Sequence, residues 1–469
     1  MKRLGWLWLT LIPLACRKKD NPVPPQPPIA RFFLDSIGLE QENRLPSRFS
    51  LRWSGDDPDG FVVGYELRIN GGPWNFTTVQ ESTFVISFEP GVQYKDVIFE
   101  LRAVDNDGLR TDPPARLRIP LKNSPPICKI DSSIQLPDTT LIAITFSILV
   151  DDPDGRETVD SVYIRIGPSG PWVAFSPRYT LLSLVPQNPA APSPTSVYVG
   201  NSLTASFTIP TSLPLDDTLR IYVRSKDQGG LFSEIDSTKR IFLRRKTADW
   251  LVLDSWTNSM AIDTLDPLFR QAWGSYDYWN LRRPTQRPPL KIPTWLHILR
   301  AYPRVYWIGS QSTAEEFEAS EILIEQYLNQ GGRLFVNLPL RSDLGENSPI
   351  FRWSPADSIS KVQQNGLLAP NSSVNSTQPS FPNLINGLPY YMSAINPPYP
   401  KGTAIVLYDM PDLLQGNGQP WPGSLSRAAA VAFPSGAGKF RQILFILPVH
   451  QLGGDRVGFL TALQNAFQP

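Results

Sequence analysis

The chain has 469 residues, 48 of them proline, and its 44 lysines and arginines are offset by 43 aspartates and glutamates, leaving a formal net charge of +1. That length accommodates about three domains, the charge balance and the lack of a basic run interleaved with aromatics argue against nucleic acid as a partner, and two cysteines exclude a disulfide framework. After the amino-terminal segment no apolar run approaches the ~20 residues of a spanning helix, so any membrane attachment is expected to run through lipid.

Lys2 and Arg3 precede an apolar run from Leu4 to Ile12, which is too short to cross a bilayer core of roughly 30 Å and reads as an export signal. The run closes on Pro13-Leu14-Ala15-Cys16, which resembles the lipobox of bacterial lipoproteins. The resemblance implies a signal peptide over 1–16, with Cys16 becoming the lipidated first residue and the chain anchored to a membrane. Arg17 after the cysteine, in place of Asp, implies the outer membrane by analogy with lipoprotein sorting in some bacteria. Residues 17–28 are a proline-rich tether, stiff because each proline fixes φ and favours polyproline II.

From 29 to 122 short alternating segments are separated by turn signals, the pattern of a β-sandwich. Phe49 to Trp53 alternates, Asp56-Asp57-Pro58-Asp59-Gly60 turns, Val63 to Ile69 alternates again, and Val97 to Val104 ends in Asp105-Asn106-Asp107-Gly108. Trp53, Tyr65, Leu67 and Ile69 are expected in the core. This order resembles the fibronectin type III and immunoglobulin-like modules of bacterial surface proteins. The text then recurs: Asp151-Asp152-Pro153-Asp154-Gly155 repeats the acidic turn, Ser169-Gly170-Pro171-Trp172 repeats Gly71-Gly72-Pro73-Trp74, and Arg224 to Leu231 echoes Arg102 to Leu109. Residues 123–246 are therefore expected to be a second sandwich, lengthened by a proline-rich insertion from Val185 to Pro194.

After Lys246 the period changes. Asp249–Asp254 and Arg304–Gly309 are almost continuously apolar, as are strands near 333–338, 403–408, 428–433 and 442–447. Phe317, Ile322, Leu323, Tyr327 and Leu328 recur at helical spacing before Gly331-Gly332, and a last helix is expected over 455–467. Strands alternating with helices predict an α/β domain with a mainly parallel sheet over 247–469. The element order and the run Gln326 to Val336 resemble the flavodoxin-like, glutamine-amidotransferase-like domains of exported bacterial proteins.

An amidotransferase of that kind needs a cysteine on the turn after a central strand. Here Leu334–Leu338 runs into Pro339-Leu340-Arg341, so the resemblance implies a domain without catalysis. Ser310, after the strand ending Ile308-Gly309, and His450, after a late strand, are the candidate catalytic residues of the competing reading, a cell-envelope hydrolase, although His450 is expected to be packed. No cofactor is expected; calcium at Asp56, Asp57, Asp59 and at Asp151, Asp152, Asp154 is the alternative, since clustered carboxylates supply hard oxygen ligands. Tyr276, Tyr278, Trp279, Arg282, Arg283, Trp295, His297 and Tyr302 are either a stacking face or, as expected, packing on the sheet, and Trp307 is expected in the core. The stretch from Asn371 to Pro400 is expected to be a surface loop beside the ligand-binding end of the sheet. The functional expectation is a lipid-anchored binding or scaffolding protein, with sandwich modules as spacer and the last domain recognising a protein or glycan partner. An accessory part of an export or glycan-uptake assembly is a third reading.

Overall fold

The computed structural model describes residues 24–33, 44–282, 293–360, 366–421 and 425–468. The expected signal peptide, Cys16 and Arg283 lie outside the described residues. No helix among the described residues is long and apolar enough to cross a membrane. The chain divides into two compact units, the first comprising 1–125 with 153–158 and 228–231, the second the remainder.

In the first unit, Ile29–Phe33, Arg48–Asp56 and Glu81–Val85 form a three-stranded antiparallel sheet. Leu45–Pro46, Ala115–Lys122, Tyr94–Asp105, Val62–Ile69 and Asn75–Thr77 form a five-stranded one, in that order. Phe49, Leu51 and Trp53 alternate inward from one sheet and meet Tyr65, Leu67, Phe99 and Leu101 from the other. Two sheets closed over one apolar layer make a β-sandwich. Ile69 is half-buried against that layer. The Tyr65 hydroxyl accepts hydrogen bonds from the Gly55 N–H and the Gln80 side chain, both at 3.0 Å, so the ring is buried without stranding its polar end.

The second unit opens with another sandwich. Its five-stranded sheet runs Phe207–Ser212, Pro194–Val199, Leu181–Pro186, Ile144–Asp151, Ile127–Ile130, and its four-stranded sheet Val173–Phe175, Val159–Ile166, Ile221–Asp227, Asp236–Ser237. Phe146, Ile148, Val162, Ile164, Leu182 and Val223 fill the space between. Cys128 is a buried free thiol, and burial pushes its pKa up to about 12. Leu141, Ile142 and Ala143 leave this core and join the apolar cluster of the carboxyl-terminal region.

That region is built on a ten-stranded sheet among the described residues. Asp277–Asn280, Trp250–Asp254, Arg304–Ile308, Arg333–Asn337 and Lys439–Phe445 are parallel neighbours in that order. Beyond them Ala428–Gly436, Ile405–Asp409, Ser373–Ser376, Leu384–Asn386 and Leu452–Gly454 extend it antiparallel. The sheet is thus mixed rather than mainly parallel. The first of these reversals is set by one turn: Gly436 pairs with Lys439 across Ala437-Gly438, with Gly438 at φ +65°, and a two-residue connection can only reverse the chain, whereas parallel neighbours need a crossover of a dozen residues or more.

Two helical expectations shift. The helix expected through Phe317 to Leu328 is two, Ala314–Ala319 and Glu321–Asn329, interrupted where Ser320 returns its hydroxyl to the Glu316 carbonyl at 2.7 Å. Ile322 is consequently 70% exposed while Ile324 is buried beside Phe317, Leu323, Tyr327 and Leu328. The last helix, Arg456–Ala466, starts where Asp455 accepts the Gly458 N–H at 2.8 Å. It packs on Met260–Trp273, whose Trp273 indole donates to the Leu460 carbonyl at 3.0 Å.

Candidate functional site

The parallel strands end at one edge, and the chain segments leaving Asp254, Ile308, Asn337 and Phe445 enclose a cleft of about 490 Å³, within the ~300–1,000 Å³ typical of small-molecule sites. Trp256 and Thr257 contribute from the first strand, Ser310 and Ser312 from the third, and Tyr390 and Tyr391 from a lip over residues 388–395. Among the described residues no charged side chain lines it.

Buried carboxamides hold this edge in place. Asn337, fully buried, donates to the Phe445 and Leu447 carbonyls (3.1 and 2.7 Å) and accepts the Val449 N–H (3.1 Å). Asn386, equally buried, donates to the Leu368 and Ala369 carbonyls at 3.0 Å and to Tyr390 O at 3.3 Å, fixing the base of the lip. Gln311 donates to Leu340 O (2.9 Å) and Ala394 O (2.8 Å), tying the far end of the lip to the third strand. Ala394 sits at φ +62°, a left-handed conformation that costs a non-glycine residue about 1 kcal/mol and persists only where surroundings enforce it. At the first strand, buried Asp254 accepts from Trp256 N–H (3.0 Å) and Tyr278 hydroxyl (2.9 Å) and pairs with Arg282 (3.2 Å). Burial raises its pKa above the ordinary value despite those partners.

Ser310 and His450 are both placed at this edge, yet they do not form a nucleophile–base pair. The Ser310 hydroxyl lies 2.8 Å from that of Ser312 and 3.4 Å from that of Thr313, within a short 3-10 turn. His450 is buried with its ring edge-on to Trp256, centroids 4.5 Å apart, and neither ring nitrogen has a hydrogen-bond partner. Burial, with the Arg456 charge behind it, depresses its pKa to about 4, so the ring is neutral at pH 7. The aromatic run is packing: Trp279, Trp295, His297, Tyr302 and Trp307 are all buried, and Tyr276 and Tyr278 are half-buried against the core. The segment from Asn371 to Pro400, expected as a loop, instead carries the strands Ser373–Ser376, Leu384–Asn386, Met392–Ile395 and Pro398–Pro400. Val374, Leu384, Asn386, Met392 and Ile395 of these strands are buried, and the exposed Tyr390 and Tyr391 sit between the second and third.

The acidic turns do different work. Asp59 accepts the Gln26 N–H at 3.0 Å. Asp154, whose segment belongs to the first unit, accepts Ser124 N–H and Ser47 N–H, both at 2.6 Å. In the second unit Asp151 accepts the N–H of Asp152 at 2.9 Å. Asp56 and Asp57 line a shallow cleft of about 340 Å³ with Gly60 and Tyr65. Among the described residues no group of three or more His, Cys, Asp or Glu is arranged to hold a metal ion. Sequence reasoning missed the other half of this pattern: Gln26-Pro27-Pro28-Ile29 recurs as Ser124-Pro125-Pro126-Ile127. In both copies the residue before the prolines donates its N–H to the third aspartate of the following turn. Asn337, Asn386 and Gln311 were missed as well, and no motif marks them.

No protein-family model matches the sequence, and the comparison with curated proteins found no match. Among solved structures the chain is similar to the fibronectin(III)-like modules of Clostridium thermocellum CbhA, at 13% identity and a TM-score of 0.17 over 46% of this chain and 94% of that one. It is also similar to a tetra-tandem repeat from the extending region of a large adhesion protein, at 12% identity and a TM-score of 0.18 over 46% of this chain and 49% of that one. Likenesses this distant say nothing about function, and the sandwich architecture rests on the sheets themselves.

Proposed function

We propose that this chain is a lipid-anchored, exported recognition protein, in which two sandwich modules hold a carboxyl-terminal domain away from the membrane and that domain binds an envelope component without transforming it. The carboxyl-terminal domain is read as flavodoxin-like. Its parallel strands stand in the order second, first, third, fourth, fifth, the order in which ligands bind outside the carboxyl ends of the strands, and the cleft lies at that edge. The observation that carries the non-catalytic reading is that the Ser310 hydroxyl lies against those of Ser312 and Thr313 and not against an imidazole, in a cleft that no charged side chain lines among the described residues. General acid–base chemistry needs a group within hydrogen-bond reach of the proton it moves.

Anchoring is tested by mass spectrometry of the amino end and by fractionation. The mature chain is expected to begin at acylated Cys16 and to leave the membrane fraction in Cys16→Ser; an unmodified or uncleaved amino end overturns the anchor. Recognition is tested by screening the full chain on ester, amide and glycoside substrates beside Ser310→Ala and His450→Ala. No turnover is expected, and turnover abolished by either substitution overturns the non-catalytic reading in favour of a hydrolase.

A further inference from the structure

We infer that the cleft at the carboxyl ends of the parallel strands is a binding site for an uncharged saccharide, with Tyr390 and Tyr391 as its stacking platform; this rests on the recognition reading above and specifies its ligand. Three observations converge. The first is charge. Another cleft, of about 550 Å³, is lined by Arg244, Asp263, Asp266, Arg270 and Asp277, whereas among the described residues the strand-end cleft, of similar size, has no charged lining side chain. An ionic ligand entering it would lose hydration without a counter-charge from the described lining to replace it. The lining formed by the described residues therefore suits a neutral occupant.

The second observation is polarity. Thr257, Ser310, Ser312 and Gln451 place hydroxyl and carboxamide groups among the lining residues. A purely apolar occupant would strip water from these groups and return no hydrogen bonds. Third, Trp256 contributes an aromatic ring to the wall, and Tyr390 and Tyr391 stand 61% and 47% exposed at the mouth. Large aromatics left in solvent beside a cleft supply rigid contact area with few torsions to freeze on binding. A pyranose ring presents both kinds of surface: a face of C–H groups that lies flat on an aromatic ring, and a rim of hydroxyls that both donate and accept. The lip is also built before any ligand arrives. Asn386 holds the Tyr390 carbonyl, and Gln311 holds Ala394 in its left-handed conformation, so little ordering cost remains for binding.

The test is isothermal titration of the full chain with neutral hexasaccharides of glucose, xylose and mannose, and with hexagalacturonate as the anionic control. At least one neutral hexasaccharide is expected to bind and hexagalacturonate not. Because both tyrosines are exposed, Tyr390→Ala and Tyr391→Ala are expected to melt as the parent does while weakening binding about tenfold or more, equivalent to ~1.4 kcal/mol. Tyr390→Phe and Tyr391→Phe keep the stacking face and are expected to stay within about threefold, under ~0.7 kcal/mol. Absence of binding by every neutral sugar, equal binding of the anionic one, or indifference to both alanine substitutions overturns the inference. Recovered sugars are weighed by mass spectrometry: cleaved or altered sugar overturns the non-catalytic reading while supporting the ligand class.

Discussion

Asn337 shows how a residue at a catalytic-looking position serves structure. It ends the strand Arg333–Asn337, and its carboxamide is spent on three backbone groups between residues 445 and 449. Asn337→Ala is expected to strand those buried groups and to lower the stability of the second unit by about 2–4 kcal/mol, read as a lower urea midpoint for its transition with that of the first unit unchanged; equal midpoints would mean that water replaces the amide. The sequence marks this strand and the empty turn after it, because both are local patterns. It does not mark the role of Asn337, whose partners lie more than 100 residues further along. Tyr390 and Tyr391 were illegible for a related reason: as two aromatics in a run rich in proline and serine they carry no period, and only the neighbouring strands reveal that they border a cleft.

At the scale of elements, the repeated Gly-Pro-Trp tripeptide marks a stack. Trp74 lies between the guanidinium groups of Arg68 and Arg102, each 4.3 Å from the ring, and Trp172 between those of Arg165 and Arg224, at 4.6 and 4.5 Å. The Nε atoms of Arg102, Arg165 and Arg224 are buried without hydrogen-bond partners among the described residues, and the aromatic rings lie against these guanidinium groups. Cation–π contact is worth about 0.5–2 kcal/mol depending on desolvation. In a double-mutant cycle Trp74→Leu with Arg102→Ala is therefore expected to show a coupling of about 1 kcal/mol; additive effects would reduce the stack to packing. The acidic turns follow similar logic. Removing Asp154 leaves the amides of Ser47 and Ser124 without their acceptor, so Asp154→Ala is expected to cost the first unit about 2–4 kcal/mol, while Asp59→Ala, which loses the single bond to Gln26, costs about 1 kcal/mol or less. Thermal unfolding of the two variants side by side checks the ranking. The repeat itself was legible from sequence. Its purpose was not, because turn chemistry and carboxylate clustering select the same residues, and the hydrogen-bond partners decide between them.

For the molecule as a whole, the response to acid follows from where its two histidines lie. Both belong to the second unit. His297 packs its ring 4.3 Å from that of Tyr198, and burial, with Arg300 nearby, lowers its pKa to about 4, as burial and Arg456 do for His450. An unfolded histidine titrates near 6.5, so in both cases the unfolded chain binds the proton first. The stability contributed by the neutral buried rings is complete above pH ~6.5 and is lost as pH falls towards 4, by up to ~3 kcal/mol per ring at 1.36 kcal/mol per pKa unit. Asp254 opposes this: its raised pKa means that the folded state takes up a proton first, which stabilises the fold as pH falls. In the first unit Glu89, Asp96 and Glu100 are held below their ordinary values by Lys95, Arg118 and Arg68 respectively, so the stability they contribute disappears only as pH drops beneath the ordinary carboxylate range. The two units should therefore part company between pH 6.5 and 4, the second losing melting temperature first. Replacing both histidines, His297→Gln with His450→Gln, should flatten that loss while leaving the first unit's profile untouched. Scanning calorimetry across this range decides the matter: parallel pH profiles for the parent and the double variant would mean that the two rings do not control the acid response.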